Sequence, residues 1–237
     1  MPPNKIKTAM LLAAGLGTRM RPLTDNLPKP LISVRGRTLI DRMLDNLVEN
    51  GVEKAVVNTF YLPEMIEKHL RARQDIEIII SHETERLETG GGILNALPHL
   101  GDEPFFVTSC DVIIKKPENE KSGFVQLSEE YAEGSEGALL LIPLENTYGY
   151  DGHGDFNIDD DGKLKWREEG RSAGYVFSTI QILHPQIFAR AEVQQWGKVS
   201  PLKNIYDLYL DRLRPAIYKG RWYHIGTPEA LEGLMEG

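Results

Sequence analysis

A single α/β domain, with a mostly parallel central sheet flanked by helices, is the fold this chain predicts, on three observations. Strand-like and helix-like segments alternate through the first half, a pattern that right-handed crossovers turn into a parallel sheet. An apolar run from Thr8 to Ala13 reads as a buried strand that empties straight into a glycine-rich loop. With 237 residues and 41% hydrophobic content the chain can bury one sizeable core, and no composition break or repeat marks a second domain.

In chain order, Thr38 to Asn50 places Ile40, Met43, Leu44, Leu47 and Val48 on one helical face. Thr38 and Asp41 are spaced as a capping box there, and Gly51 is a stop. Lys54 to Asn58 reads as a strand, Pro63 to Leu70 as a short helix, and Ile76 to Ile80 as a strand. Gly92 to Leu97 starts another helix, and Pro104 to Thr108 a further buried strand. Gly137 to Ile142 reads as a strand, and Phe156 to Trp166 as a hairpin around Asp160-Asp161-Gly162. Tyr175 to Leu183 is a strand run, Leu202 to Leu213 carries a helical apolar face, and Thr227 with Pro228 caps a closing helix. The hairpin region is expected to form a smaller β-meander beside the parallel sheet.

The glycine loop carries the chemistry. It runs Gly15-Leu16-Gly17-Thr18-Arg19-Met20-Arg21-Pro22-Leu23-Thr24, with Pro28-Lys29-Pro30-Leu31 following. Two glycines let backbone N–H groups approach an anion closely, and Arg19, Arg21 and Lys29 bring three cations to neutralise it. The natural guest is a nucleoside triphosphate. Three commoner phosphate loops are excluded. Met20 stands where a dinucleotide fingerprint needs its third glycine, no Gly-Lys-Ser/Thr closes a Walker loop, and no HRD-like segment supports a kinase loop. Ligands of parallel sheets collect at the carboxyl ends of strands, which gathers the Gly15 loop, the Glu83 to Thr89 loop and Asp111 on one edge.

A net charge of -8 argues against a non-specific nucleic-acid binder, which wants a basic face. The lone cysteine, Cys110, allows no intrachain disulfide and no thiolate cluster. No apolar run reaches the roughly 20 residues that span a bilayer, and no signal-peptide core stands at the N-terminus. A cytoplasmic protein without membrane partners, monomeric or a small homo-oligomer, is expected.

The loop resembles the signature of the sugar-1-phosphate nucleotidyltransferases, in which Gly-x-Gly-Thr-Arg-x-Arg-Pro-Leu-Thr is followed by Pro-Lys-Pro. The resemblance continues through Leu87-Glu88-Thr89-Gly90-Gly91-Gly92, the aspartate closing Phe105 to Asp111, and Trp222-Tyr223-His224-Ile225-Gly226-Thr227. It is closest to the short bacterial N-acetylmuramate-1-phosphate uridylyltransferase type, through Gly154-Asp155-Phe156 and Leu183-His184-Pro185. It implies one Rossmann-like nucleotidyltransferase domain over residues 1–237. Residues 1–115 would bind the nucleotide, and 116–237 the sugar phosphate. It implies transfer of a nucleotidyl group from a nucleoside triphosphate, UTP for the closest type, to a sugar 1-phosphate such as N-acetylmuramate 1-phosphate. A mannose- or heptose-1-phosphate guanylyltransferase using GTP is the alternative; a nucleotide- or sugar-binding relative with little turnover is the second.

The same resemblance assigns roles. Both reactants are anionic, so charge neutralisation and alignment come before any strong base. Arg19 would hold the β- and γ-phosphates, and Lys29 the α-phosphate region, both solvated before nucleotide arrives. Arg21 either joins them or pairs with Asp25. The nucleotide would further meet Leu12, Ala14, Gly15, Gly17 and Thr18, with Glu83, Thr89 and Gly90 across the cleft. Asp155, Glu168 and Thr179 are the sugar-phosphate candidates. Asp111 is the magnesium ligand, although an aspartate after a strand can also cap a turn. Three departures stand out. Ser109-Cys110 precedes Asp111 where the family has Asn-Gly or Asn-Ser, and Thr179 stands where a glycine is usual. His224 occupies the place of the second metal carboxylate. Imidazole suits Mn²⁺ or Co²⁺ better than Mg²⁺, so either the metal rests on Asp111, phosphates and water, or a different metal is used, or activity is weakened. A surface histidine beside a tryptophan is the other reading of His224.

Overall fold

Strand β1 (Thr8–Leu12) lies at the centre of the molecule because its side chains alternate between two apolar cores. Ala9 and Leu11 enter one core and Met10 the other. A strand covered on both faces has no polar side, so its sequence reads as a continuous apolar run. The computed structural model describes residues 5–131 and 134–236. Two short strands, β2 (Ser33–Val34) and β3 (Arg37–Thr38), precede α1 (Leu39–Glu49), β4 (Lys54–Thr59), α2 (Pro63–Leu70), β5 (Glu77–His82) and α3 (Glu88–Leu100). Then come β6 (Phe105–Ser109), β7 (Val112–Lys115), α4 (Gly123–Glu130), β8 (Gly137–Pro143), β9 (Thr147–Tyr148) and the hairpin β10 (Phe156–Ile158) and β11 (Leu164–Trp166). The chain closes through β12 (Tyr175–Leu183), α5 (Ala191–Gln194), α6 (Lys203–Tyr209), β13 (Leu213–Ile217), β14 (Arg221–His224) and α7 (Pro228–Glu236).

The order β5-β4-β1-β6 is parallel throughout, as the alternating first half requires. Beyond β6 the sheet continues through β12, which runs antiparallel to β6, to β8 and to β10. The expected meander is therefore the β12-β10-β11 end of the same sheet. One face is covered by α1, α2 and α4, through Met43, Leu44, Ile66, Phe124 and Leu127. The other is covered by α3 and α6, through Ile93, Ala96, Ile205 and Tyr209. Each fully buried side chain of this size contributes roughly 1.5–3 kcal/mol. Thr38 caps α1 as its spacing predicted, accepting from the Asp41 amide at 3.2 Å.

Two boundaries differ from the sequence reading. The helical run from Leu202 does not reach Leu213: α6 stops at Tyr209, a short turn covers Leu210–Arg212, and Leu213 opens β13. Among the described residues that strand pairs only with β8, so Pro215 forfeits no second ladder. Helix α3 starts at Glu88 rather than Gly92, because Gly90, Gly91 and Gly92 are buried inside it. A Cβ on Gly90 would lie 2.8 Å from the Ser200 carbonyl, one on Gly91 would strike that of Lys198, and one on Gly92 would lie 2.8 Å from both Asn58 Nδ2 and Glu83 Oε1. The glycines serve close packing.

A second, three-stranded sheet of β7, β14 and β9 stands against the main one. It positions the site, because β14 pairs with β7 with His224 opposite Val112, next to Asp111. Among the described residues no helix is long and apolar enough to cross a membrane.

Candidate active site

The parallel register sets three residues in one row at the carboxyl edge: Leu12 lies opposite Asn58 on one side and Ser109 on the other. The loops leaving these strands enclose a cleft of about 260 Å³. Its lining includes Leu12, Ala14, Gly15, Lys29, Glu83, Thr89 and Asp111. Thus the structure brings together most of the residues assigned to the nucleotide half.

Asp111 is the centre of a charge cluster. Lys29 Nζ donates to its Oδ2 at 2.6 Å, Ser109 Oγ to its Oδ1 at 2.7 Å, and His224 Nε2 lies 3.6 Å from Oδ2. Burial opposes ionisation of this carboxyl, but His224, Lys29 and Ser109 outweigh it and hold its pKa well below the ordinary carboxylate range. Lys29, expected to be solvated, has a side chain only 13% exposed and is already paired. Gly17 packs against it at φ +64, where a Cβ would lie 3.0 Å from Thr24 Cγ2 and 3.1 Å from Lys29 Cβ. That left-handed turn next to a packed side chain admits glycine alone at low cost.

His224 is no surface residue. Its side chain is 18% exposed and its ring stacks on Trp222, with centroids 5.6 Å apart and planes 10° from parallel. Gly226 makes room for it, since a Cβ there would lie 2.7 Å from the imidazole Cε1. The Asp111 carbonyl accepts from the Ile225 amide at 2.8 Å, which locks the two segments together.

The phosphate loop itself is more open. Thr18 and Arg19 are exposed on a short turn, and Arg19 has no side-chain hydrogen bond or ion pair among the described residues. Arg21 pairs with Asp25 at 3.3 Å, the contact that its second reading names.

Across the cleft, Asn58 was missed by sequence reading, although a polar residue ending the apolar run of β4 was the available signal. Its Oδ1 accepts from the Ala13 amide at 2.7 Å, and its Nδ2 donates to Glu83 Oε1 at 2.7 Å. Glu83 also accepts from the Leu87 amide at 3.2 Å. Burial raises the Glu83 pKa, with Asn58 and the Leu87 amide opposing. The buried pair therefore ties the start of the phosphate loop to the Glu83 loop. Thr89 is exposed, and its hydroxyl accepts from the Leu202 amide at 2.9 Å. Gly90, assigned to the nucleotide, is outside the cleft lining, and its missing Cβ accommodates the Ser200 carbonyl.

The sugar-side candidates separate. Asp155 accepts from the Phe177 amide at 2.8 Å, and burial raises its pKa. It fastens the start of an irregularity in β12 rather than lining the cleft. Glu168 is exposed and paired with Arg171 at 2.8 Å. Thr179 reaches the charge cluster, with its Oγ1 2.7 Å from Ser109 Oγ. Cys110 is buried, its thiol donates to the Leu12 carbonyl at 3.3 Å, and burial raises its pKa, so it is no nucleophile.

Asp111 Oδ2 and His224 Nε2 lie 3.6 Å apart, a spacing that one divalent ion could bridge. Among the described residues no group of three or more His, Cys, Asp or Glu side chains could hold a metal. Phosphate oxygens and water would have to complete the shell of such an ion.

A glycine loop, a paired lysine and a partly buried carboxylate thus meet at the carboxyl edge of a parallel α/β sheet. Residues 8–236 match the nucleotidyl transferase family. The chain is 39% identical over 230 residues to the N-acetylmuramate alpha-1-phosphate uridylyltransferase of Caulobacter vibrioides, covering 94% of this chain and 93% of that one. It is 31% identical over 236 residues to the mannose-1-phosphate guanylyltransferase catalytic subunit beta of Drosophila pseudoobscura pseudoobscura, covering 93% of this chain and 59% of that one. The UDP-glucose pyrophosphorylase of Acinetobacter baumannii shares the fold, with a TM-score of 0.80 at 17% identity over 97% of this chain and 92% of that one. The chain belongs to the nucleotidyl transferase family, and its activity is that of a sugar-1-phosphate nucleotidyltransferase.

Proposed function

We propose that the chain transfers a uridylyl group from UTP to N-acetylmuramate 1-phosphate, with a divalent ion held at Asp111 and His224. The observation that carries this reading is the convergence of Lys29, Asp111 and His224 on the edge of the Gly15 cleft. The 39% identity to a uridylyltransferase of nearly equal span supports the choice of substrates. A phosphate oxygen of the sugar phosphate attacks the α-phosphorus of UTP, and the bond from that phosphorus to the bridging oxygen breaks. Pyrophosphate leaves with the electron pair, and the UDP-sugar remains. The nucleophile is already anionic, so the protein's task is alignment and charge neutralisation. Lys29 exchanges Asp111 for the α-phosphate, while Arg19, unpartnered on its exposed turn, closes on the β- and γ-phosphates. The bound ion supplies further positive charge at the phosphates.

Pyrophosphate release across four triphosphates and a panel of sugar 1-phosphates tests the reading. A thermal melt gives the same answer without turnover. At a hundredfold excess over Kd a ligand adds about 2.7 kcal/mol of stability, so UTP with metal should raise Tm by several degrees and GTP by less. A larger shift with GTP moves the assignment to a guanylyltransferase, and binding of both substrates without product moves it to a binding protein.

The metal has its own test. His224→Asp places a second carboxylate beside Asp111 and should move the preference towards Mg²⁺, while the parent favours Mn²⁺ or Co²⁺. Metal titrations of turnover read this directly. An unchanged profile in the variant would leave the ion on Asp111, phosphates and water.

A further inference from the structure

Among the described residues Thr179 is the one β-branched residue at positive φ, at +70°. Such a residue is a genuine outlier, and the strain persists only where the surroundings impose it. Here they do. Thr179 lies in the irregularity of β12 between Phe177 and Gln181. The Phe177 amide is held by Asp155 at 2.8 Å, and the Ser178 carbonyl accepts from Trp222 Nε1 at 3.1 Å. Glycine would take this conformation freely, so a threonine here needs a reason in its side chain.

Proton counting supplies the reason. Asp111, paired with Lys29 at 2.6 Å, is an ionised carboxylate and can only accept. Ser109 has one hydroxyl proton, and its Oγ lies 2.7 Å from Asp111 Oδ1, so that proton goes to the carboxylate. Ser109 can then only accept from Thr179, whose Oγ1 is 2.7 Å away on its other side. The direction is fixed: Thr179 donates to Ser109, and Ser109 donates to Asp111. Oδ1 is thereby held on the β12 side, and Oδ2 is left to face Lys29 and His224.

We propose that Thr179 is a positioning residue whose hydroxyl, acting through Ser109, fixes the rotation of the Asp111 carboxylate so that Oδ2 is presented to the divalent ion and the α-phosphate. This deepens the reading of the cleft given above and rests on it. The backbone strain at Thr179 is the consequence of aiming its hydroxyl at Ser109.

Three single variants at Thr179 and one double-variant comparison with Ser109 test it in the full chain, each followed by turnover, by Mn²⁺ affinity from electron paramagnetic resonance, and by thermal melts. Thr179→Val keeps the shape and loses the proton, so kcat and Mn²⁺ affinity should both fall about three- to tenfold, the span of one neutral hydrogen bond. Thr179→Ser should restore both to within about twofold, well inside that span. Thr179→Gly relieves the backbone, so its Tm should hold or rise while Mn²⁺ binding weakens, opposite directions that a purely structural role would not produce. In a Ser109→Ala background, Thr179→Val should have no further effect on kcat. Parental kcat and Mn²⁺ affinity in Thr179→Val, or a Thr179→Ser as impaired as Thr179→Val, would overturn the proposal. A parent that binds Mn²⁺ yet transfers no nucleotide removes the proposed function, and the Mn²⁺ affinities of the variants then still decide the role of Thr179. A parent that binds no Mn²⁺ overturns this proposal and the placing of the ion at Asp111 and His224, while turnover alone decides the transfer.

Discussion

Asp111→Asn is expected to lower turnover by about a thousandfold or more with Mg²⁺, Mn²⁺ and Co²⁺ alike, the scale of losing several kcal/mol of metal-centred charge stabilisation. Asparagine keeps the size and shape of the side chain, so the cleft survives and the missing property is the charge. Among the described residues no other carboxylate lining the cleft is free to take over. Glu83 is committed to Asn58 and the Leu87 amide, and Asp155 to the Phe177 amide. Nor can the change be rescued by choosing a softer ion, because His224 alone would remain as a protein ligand. Circular dichroism melts beside a pyrophosphate assay separate loss of chemistry from loss of fold. A folded Asp111→Asn protein retaining a tenth of parental kcat with any metal would remove the carboxylate from the mechanism.

What could be read from the sequence follows a physical division. The parallel half was legible because a doubly covered strand must be apolar throughout, and Thr8 to Leu12, Lys54 to Thr59 and Phe105 to Ser109 are nearly so. The edge on which their loops meet then follows from connectivity alone. Strands β7 and β14 were not legible, since four residues pairing chiefly with each other carry too short a pattern. Strand β13 was hidden by the helical run before it and by Pro215, which only an edge position tolerates. In the site, cations and carboxylates were recognisable by type, but their partners were not. Ser109 and Thr179 were noted as separate departures, 70 residues apart in the chain, and only the folded structure shows that they touch. Glycines 90 and 91 misled for the opposite reason: their service is to neighbours more than a hundred residues away, Ser200 and Lys198.

Lys29→Ala and Arg19→Ala should both lower turnover by roughly a hundredfold or more, the usual loss for one preorganised charge at a developing anion, yet they should part company in stability. Arg19 is exposed and unpartnered, so its replacement should leave unfolding within about 0.5 kcal/mol of the parent. Lys29 is the closest cation to a partly buried carboxylate. Removing it leaves Asp111 with the Ser109 hydroxyl and the more distant His224, and should destabilise the fold by about 1–3 kcal/mol, less than a fully buried pair would show. The sign of the pH dependence follows from the depressed folded-state pKa of Asp111. Stability gained from its ionisation is present above the unfolded carboxylate value and is lost as pH falls below it. The gap between parent and Lys29→Ala should therefore hold from neutral pH down to about 4 and close below that. The Arg19→Ala gap should stay near zero throughout. Chemical denaturation across this pH range, run beside the pyrophosphate assay, makes the comparison. Equal stability of Lys29→Ala and parent at pH 7 would show that the pair with Asp111 contributes nothing to the fold, and parental turnover at saturating UTP in either variant would remove that cation from the phosphates.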